Sequence, residues 1–193
     1  MKKVLIDNGH GVDTPGKRSP DNRILEGVYA REIARRVADE LKDRGVPVVR
    51  ITPETGDVLL RTRATRANDI HRHCRDGSVL ISLHSNAAGN GGWHEARGMS
   101  AHVALNASAQ SRVLARSLVS SFAHAGMKVR KYNGDSMPYW PQNLYICRET
   151  KMPAVLVEMF FHDNREDVKF ATSEEGKTKI VDALVMGIMD FIS

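Results

Sequence analysis

The chain has 193 residues, 41% of them hydrophobic, enough for one domain with its own core and no need of a disulfide or metal staple to fold. Its formal charge of +5 comes from Lys and Arg that are scattered, with no basic stripe interleaved with aromatics. That excludes a nucleic-acid reader and leaves at most attraction to a polyanionic surface. No run approaches a membrane span, and Cys74 in "HRHCRDG" and Cys147 in "LYICRE" stand too far apart for a CxxC pair, so free thiols are expected.

The chain opens on "MKKVLIDNGHG", two lysines and a short apolar run that ends at Asp7, which is not a secretory leader. Val4, Leu5 and Ile6 suit a strand covered on both faces, and "DNGHGVDTPGKRS" after them is too rich in turn residues to be another strand. "EGVYAREIARRVADELKDRG" then spaces Val28, Ile33, Val37 and Leu41 as a helix does, with Gly45 as its stop. "VPVVRI" reads as the second strand, and Asp57 is placed to cap the helix "VLLRTRATRANDIHRHCR". "SVLISLH" is the third strand, and a glycine-rich loop, "SNAAGNGGWHEARG", leads to a fourth, "MSAHVAL". Ser108 opens the helix "AQSRVLARSLVSSFAHAG", "MKVRKYNGDSMPYWPQ" reads as irregular, and "NLYIC" and "AVLVEMFF" read as strands. Thr172 and Glu175 have capping-box spacing ahead of the last helix, "KTKIVDALVMGIMDFI".

Strands alternating with helices imply an α/β fold: one domain over residues 1–193, with a mostly parallel, twisted sheet and helices on both faces. Right-handed crossovers bring the carboxyl ends of parallel strands to one rim, where open α/β sheets place ligands. His10 follows the first strand, His84 ends the third, Glu158 lies near the end of "AVLVEMFF", and Glu26 opens the first helix on the same rim. Two imidazoles and two carboxylates therefore converge from distant parts of the chain. Two imidazoles plus a carboxylate leave one open position on a tetrahedral zinc. The remaining carboxylate can accept the proton of the attacking water and pass it to a leaving amine. The inventory matches metal-assisted amide hydrolysis. The same ligands describe the iron site of two-histidine, one-carboxylate oxygenases, but those carry His-x-Asp on a β-barrel, and this chain offers neither.

"VLIDNGHG", the glutamate of "ILEGVYAREIARRVADEL", "LRTRATRAN", "VLISLHSNA" and "PAVLVEMFFHDN", in this order, resemble the zinc-dependent N-acetylmuramoyl-L-alanine amidases of the Amidase_3 type over almost the whole chain. The resemblance implies cleavage of the amide joining N-acetylmuramic acid to the L-alanine of the peptidoglycan stem peptide. It implies His10, Glu26 and His84 as zinc ligands, Glu158 as the catalytic carboxylate, and Asn86, the family's His-x-Asn asparagine, as a donor to substrate or ligand. Asn8 and Val12 stand where the family has proline and glycine, and Phe160 and Asp163 where it has glycine and serine; none of these removes a ligand or the base. No long insertion precedes the last third, so an uncovered cleft is expected, in a monomer that meets peptidoglycan without nucleic acid or a membrane segment. Lacking a leader, it resembles a phage or prophage lysis enzyme, made in the cytoplasm and released to the wall, with a trimmed domain of an exported autolysin as the other source. A zinc peptidase acting within the stem and a non-catalytic wall-binding module remain as alternatives; the module would be expected to lose one of the four site residues, and all are present.

Of the eight histidines, the others are expected to be bland or peripheral. His71 and His73 belong on a solvated helix, His102 on a strand pointing away from the cleft, and His124 at a helix end. His94 and His162 lie near enough in sequence to touch substrate or product, and Tyr139 and Trp140 in "MPYWPQ" can wall a sugar ring or peptide. Arg63 is expected to be a solvated or ion-paired helix residue.

Overall fold

Six strands make one sheet in the order β2-β1-β3-β6-β4-β5. The computed structural model describes residues 1–133 and 137–193. The strands are β1 (Lys3–Asn8), β2 (Val48–Arg50), β3 (Ser78–Asn86), β4 (Ser100–Ala104), β5 (Trp140–Gln142) and β6 (Ala154–Phe161). The helices are α1 (Glu26–Asp43), α2 (Leu60–Arg72), α3 (Ala109–His124), α4 (Tyr145–Glu149), α5 (Arg165–Thr172) and α6 (Glu174–Ile192). β2, β1, β3 and β6 are mutually parallel, whereas β4 runs antiparallel to β6 and β5 follows β4. The expected α/β sheet with helices on both faces is present. One consequence matters for the site: the carboxyl ends of β1, β3 and β6 share a rim with the amino ends of β4 and β5.

Alternation along each strand separates two faces. Val4, Ile6, Val79, Ile81, Val155 and Val157 pack with α1, α3 and α6 in the larger core. Leu5, Leu80, Ala154 and Leu156 face the other way, onto α2 and α4. α3 and α6 pack closely because Gly187 has no side chain; a Cβ there would meet the Leu118 Cα at 2.8 Å. α1 ends as expected at Gly45, whose φ of 75° lets its N–H reach Lys42 O (2.8 Å) and the Val46 N–H reach Leu41 O (2.9 Å), a Schellman closure. Ser108 caps α3 by accepting from Ser111 N at 3.1 Å.

Four local expectations need correction. "NLYIC" is not a strand: Tyr145–Glu149 is the short helix α4. Ile146 and Cys147, adjacent in sequence, both bury into the α2/α4 core, which a strand would prevent by pointing them to opposite faces. Trp140–Gln142, expected to be irregular, is β5, an edge strand that tolerates Pro141; positions 134–136 of that stretch lie outside the described residues. Asp57 does not cap α2, which begins at Leu60; it is drawn to Arg63 Nη2 (2.6 Å) and Thr14 Oγ1 (3.0 Å) instead. Ser173, not Thr172, caps α6, because α5 occupies Arg165–Thr172 and is itself capped by Asn164, whose Oδ1 accepts from Asp167 N.

Candidate metal centre

The loop after β1 answers why glycines flank a histidine. A Cβ on Gly9 would lie 2.2 Å from the His84 ring, one on Gly11 2.2 Å from Asp57 N, and one on Gly27 2.2 Å from the Gly11 carbonyl. His10 itself has φ 56°, a left-handed backbone that a side chain adopts at a cost of about 1–2 kcal/mol. Arg31 on α1 holds that turn: Nη1 donates to the His10 carbonyl at 2.6 Å and to Gly27 O at 2.7 Å, while Nε donates to Glu54 O at 2.7 Å.

Glu26 is the first residue of α1, where the helix field favours a carboxylate, and it is buried. Its Oε1 accepts from Ser85 N (3.0 Å) and from His84 Nδ1 (3.1 Å), and lies 3.7 Å from His10 Nε2. Oε2 is buried and meets no hydrogen-bond partner. Burial by itself would raise the Glu26 pKa, but the His84 hydrogen bond, the two nearby imidazoles and the Ser85 N–H hold it at about 2. Burial drives His10 down to about 4, so its ring is neutral at pH 7. For His84 burial pulls the other way from the outcome: the bond to Glu26 and the charges of Glu158 and Glu26 raise its pKa.

Glu158 is the cross-strand neighbour of His84 in the β3–β6 register. Burial pushes its carboxyl up to about 7, with Glu26 adding repulsion and His84 opposing, and its Oε2 has no hydrogen-bond partner. Among the described residues, one group of side chains is spaced to hold a cation: His10, Glu26 and His84, whose ligand atoms lie within 4.8 Å of one another. A tetrahedral zinc with bonds near 2.0–2.1 Å separates its ligand atoms by about 3.3 Å. The 3.1 and 3.7 Å separations around Glu26 Oε1 bracket that value, so the residues fit the ion. A buried carboxylate oxygen with no donor is what a missing cation would leave behind.

Behind the triad lies a polar brace that sequence reasoning missed. Asp7 is buried on the His84 face and accepts from Ser82 Oγ at 2.6 Å. Arg63, also buried, donates to Asp7 Oδ1 (3.3 Å), Asn8 O (3.0 Å) and Val58 O (2.7 Å) as well as to Asp57. The only signal was an acid at the end of an aliphatic run. His162 is buried beside the centre, its Nδ1 2.9 Å from Ser85 Oγ and 3.9 Å from Glu26 Oε2. Asn86, half-buried past His84, turns its Oδ1 to Ala87 N. His94 is spent locally, with Nε2 against Gly91 O. His102 does not point away from the cleft. The antiparallel register pairs Ser100 with Glu158 and His102 with Leu156, which sets His102 on the Glu158 face, bonded to Ser100 Oγ at 2.8 Å. Tyr139 is buried beneath Arg116, while Trp140 reaches the site face.

The centre opens onto two hollows. One, of about 590 Å³, is lined by His10, His84, Val58, Leu59, Leu60 and Tyr145. The other, of about 370 Å³, lies on the His162 side and includes Arg18, Asn22, the 89–92 glycine loop, His162 and Asp163.

Fold and site together define a mostly parallel α/β protein whose sheet rim carries a His–Glu–His triad spaced for a cation and a second carboxylate, Glu158, paired across the sheet with His84. Residues 4–190 match the family model described as N-acetylmuramoyl-L-alanine amidase, Amidase_3, and the chain belongs to that family. It is similar to an endolysin of Bacillus phage SPP1, at 26% identity over 195 residues covering 100% of this chain and 66% of the relative. It is also 26% identical over 188 residues to the uncharacterized protein YqiI of Bacillus subtilis, covering 97% and 83% of the two chains. Among solved structures, the N-acetylmuramoyl-L-alanine amidase of Clostridium difficile 630 superposes with a TM-score of 0.85 at 25% identity, covering 99% of this chain and 96% of that one. The catalytic domain of CwlV from Bacillus (Paenibacillus) polymyxa shares the fold, with a TM-score of 0.83 at 24% identity and coverage of 100% and 98%. The protein is an amidase of the bacterial cell wall. Among the described residues, no helix is long and apolar enough to cross a membrane.

Proposed function

We propose that this chain hydrolyses the amide between N-acetylmuramic acid and the L-alanine of the stem peptide with one zinc ion, held by His10, Glu26 and His84, and with Glu158 as general base. The observation that carries the reading is the juxtaposition of three ligand atoms within 4.8 Å and a half-buried carboxylate paired across the sheet with His84. When bound, zinc supplies Lewis acidity toward the scissile carbonyl and acidifies water. The protein supplies the rest. Arg31 and the glycines keep His10 aimed inward, and Ser85 N–H and the α1 terminus keep Glu26 ionised. Glu158, with a pKa near 7, can take a proton from water and release it to the departing amine nitrogen. Asn86 stands on the same face as a donor to substrate.

Digesting purified sacculi and identifying the products by mass tests the reading. Free stem peptides beginning with L-alanine are expected, and their release should stop in excess chelator and return with zinc. Fragments cut inside the stem would instead make the protein a peptidase, and full activity without metal would end the zinc assignment.

A further inference from the structure

An arginine used by neither the proposed metal centre nor the proposed base stands on the same face of the sheet, two strands from Glu158. Arg130 follows the segment that bridges to Met99, with its N–H on Met99 O at 2.8 Å, and Met99 precedes Ser100, the residue opposite Glu158. Its guanidinium crosses back over β6 to lie 4.8 Å from the centroid of Phe161 and 5.4 Å from that of Trp140. Phe161 belongs to the site face because of a bulge. β3 advances two residues from His84 to Asn86 while β6 advances three, from Glu158 to Phe161. The extra residue returns Phe161 to the face of Glu158. Trp140 is pinned in turn, its Nε1 donating to the Arg130 carbonyl at 3.4 Å. Among the described residues, no carboxylate or carbonyl accepts a hydrogen bond from this guanidinium.

A half-buried planar cation held against two rings and, among the described residues, without a carboxylate partner has already lost much of the rotamer freedom that binding would otherwise cost. Its fork of N–H donors matches a carboxylate through two parallel hydrogen bonds. We propose that Arg130, stacked by Trp140 and Phe161, is the subsite for a free carboxylate on the stem peptide, and that it makes the enzyme prefer stems whose second residue keeps its α-carboxylate over those in which it is amidated.

Two strand spacings separate the Arg130 backbone from Glu158, roughly 10 Å. In an extended stem each residue advances about 3.6 Å at most, so the second residue's carboxylate lies roughly 7 Å from the scissile carbonyl, leaving a gap that an arginine side chain can span. The first residue's side chain is a methyl and offers nothing to a guanidinium. This inference rests on the amidase reading and goes further, by naming what the site selects.

The test compares two soluble muropeptides that differ only in that group, carboxylate or primary amide, with the zinc-loaded protein. The expected result is a kcat/KM about 10–100-fold higher for the carboxylate form, the range of a partly exposed charge-assisted pair. Arg130→Ala should collapse the ratio toward one, mainly through KM. Arg130→Lys should keep only part of it, because an ammonium has no fork. Metal content and circular dichroism of both variants serve as folding controls. Equal cleavage of the two forms by the wild type, or a ratio unchanged in Arg130→Ala, would overturn the proposal. A second arm reads binding without turnover: calorimetry of the corresponding free stem peptides, beginning with L-alanine, against wild type and Arg130→Ala. If neither muropeptide is cut yet the carboxylate peptide binds through Arg130, the amidase reading has failed and the subsite stands. If cleavage proceeds and the calorimetry shows no preference, the subsite has failed and the amidase reading stands.

Discussion

On one face of the sheet the side chains at successive inward positions are Val4 and Ile6, Val79 and Ile81, Val155 and Val157, all covered by α1, α3 and α6. On the other, the residues between them run Leu5 to Asp7, Leu80 to Ser82 to His84, and Leu156 to Glu158, beneath only α2 and α4. The same strands thus carry a dry face and a face that grades from aliphatic to ionisable toward the rim. A residue on the first is answerable to packing; one on the second must also be paired, because a buried charge without a partner costs several kcal/mol. The thinner cover is what leaves the rim open to a polymer.

The sharpest way to break this comparison is to remove a ligand. His84→Ala should abolish zinc binding and hydrolysis together, with circular dichroism unchanged; metal stoichiometry checks the first and release of stem peptides the second. Gly9→Ala should do nearly the same without touching a ligand, since the added methyl occupies the place of the His84 ring. Next comes Glu158→Gln, which should keep the metal while kcat falls by about 10²–10⁴-fold. Loss of zinc in that variant would make Glu158 a ligand.

Smaller effects sharpen the contrast in stability. Arg63→Ala leaves Asp7 buried without its cation and should cost about 3–5 kcal/mol in denaturant unfolding. Val157→Ala on the dry face should cost about 2–3 kcal/mol, through lost burial and a cavity, with turnover per folded molecule unchanged. A further effect concerns pH. Because Glu158 is raised to about 7 in the folded protein, its ionisation opposes folding: the penalty is absent below the unfolded pKa, near 4.5, grows as pH rises, and is complete above about 7. In chelated protein Glu158→Gln should therefore melt higher than wild type at pH 8 and equal it at pH 4. A uniform difference at both would show that something other than that carboxyl is responsible.

The dry face was legible because periodicity reports burial, and the strands β1, β3 and β6 and helices α1, α3 and α6 follow from it. The rim was legible for a different reason: Glu26 begins α1, and His10, His84 and Glu158 lie just past or in the carboxyl-terminal halves of strands whose direction the βα alternation dictates. What escaped was set by contacts rather than pattern. Tyr145–Glu149 looks β-forming residue by residue, yet it coils because Ile146 and Cys147 must bury together. His102 was sent to the wrong face since nothing local reveals that β4 runs against β6. Arg63 reads as a solvated or ion-paired arginine on a helix; only the assembled corner shows its guanidinium buried there, beside the half-buried Arg31. The bulge between Glu158 and Phe161, on which the place of Arg130 depends, has no signature in "EMFF".

The order of elements along the chain also gives the site a history. His10, Glu26 and His84 all precede β4, whereas the strand bearing Glu158 is the last of the six and inserts between β3 and β4. Domains are built from the amino terminus as they leave the ribosome. A nascent chain therefore acquires the three proposed ligands well before Glu158, and β3 stays an edge until β6 arrives. The proposed base therefore joins the proposed ligands only once β6 has closed the sheet between β3 and β4.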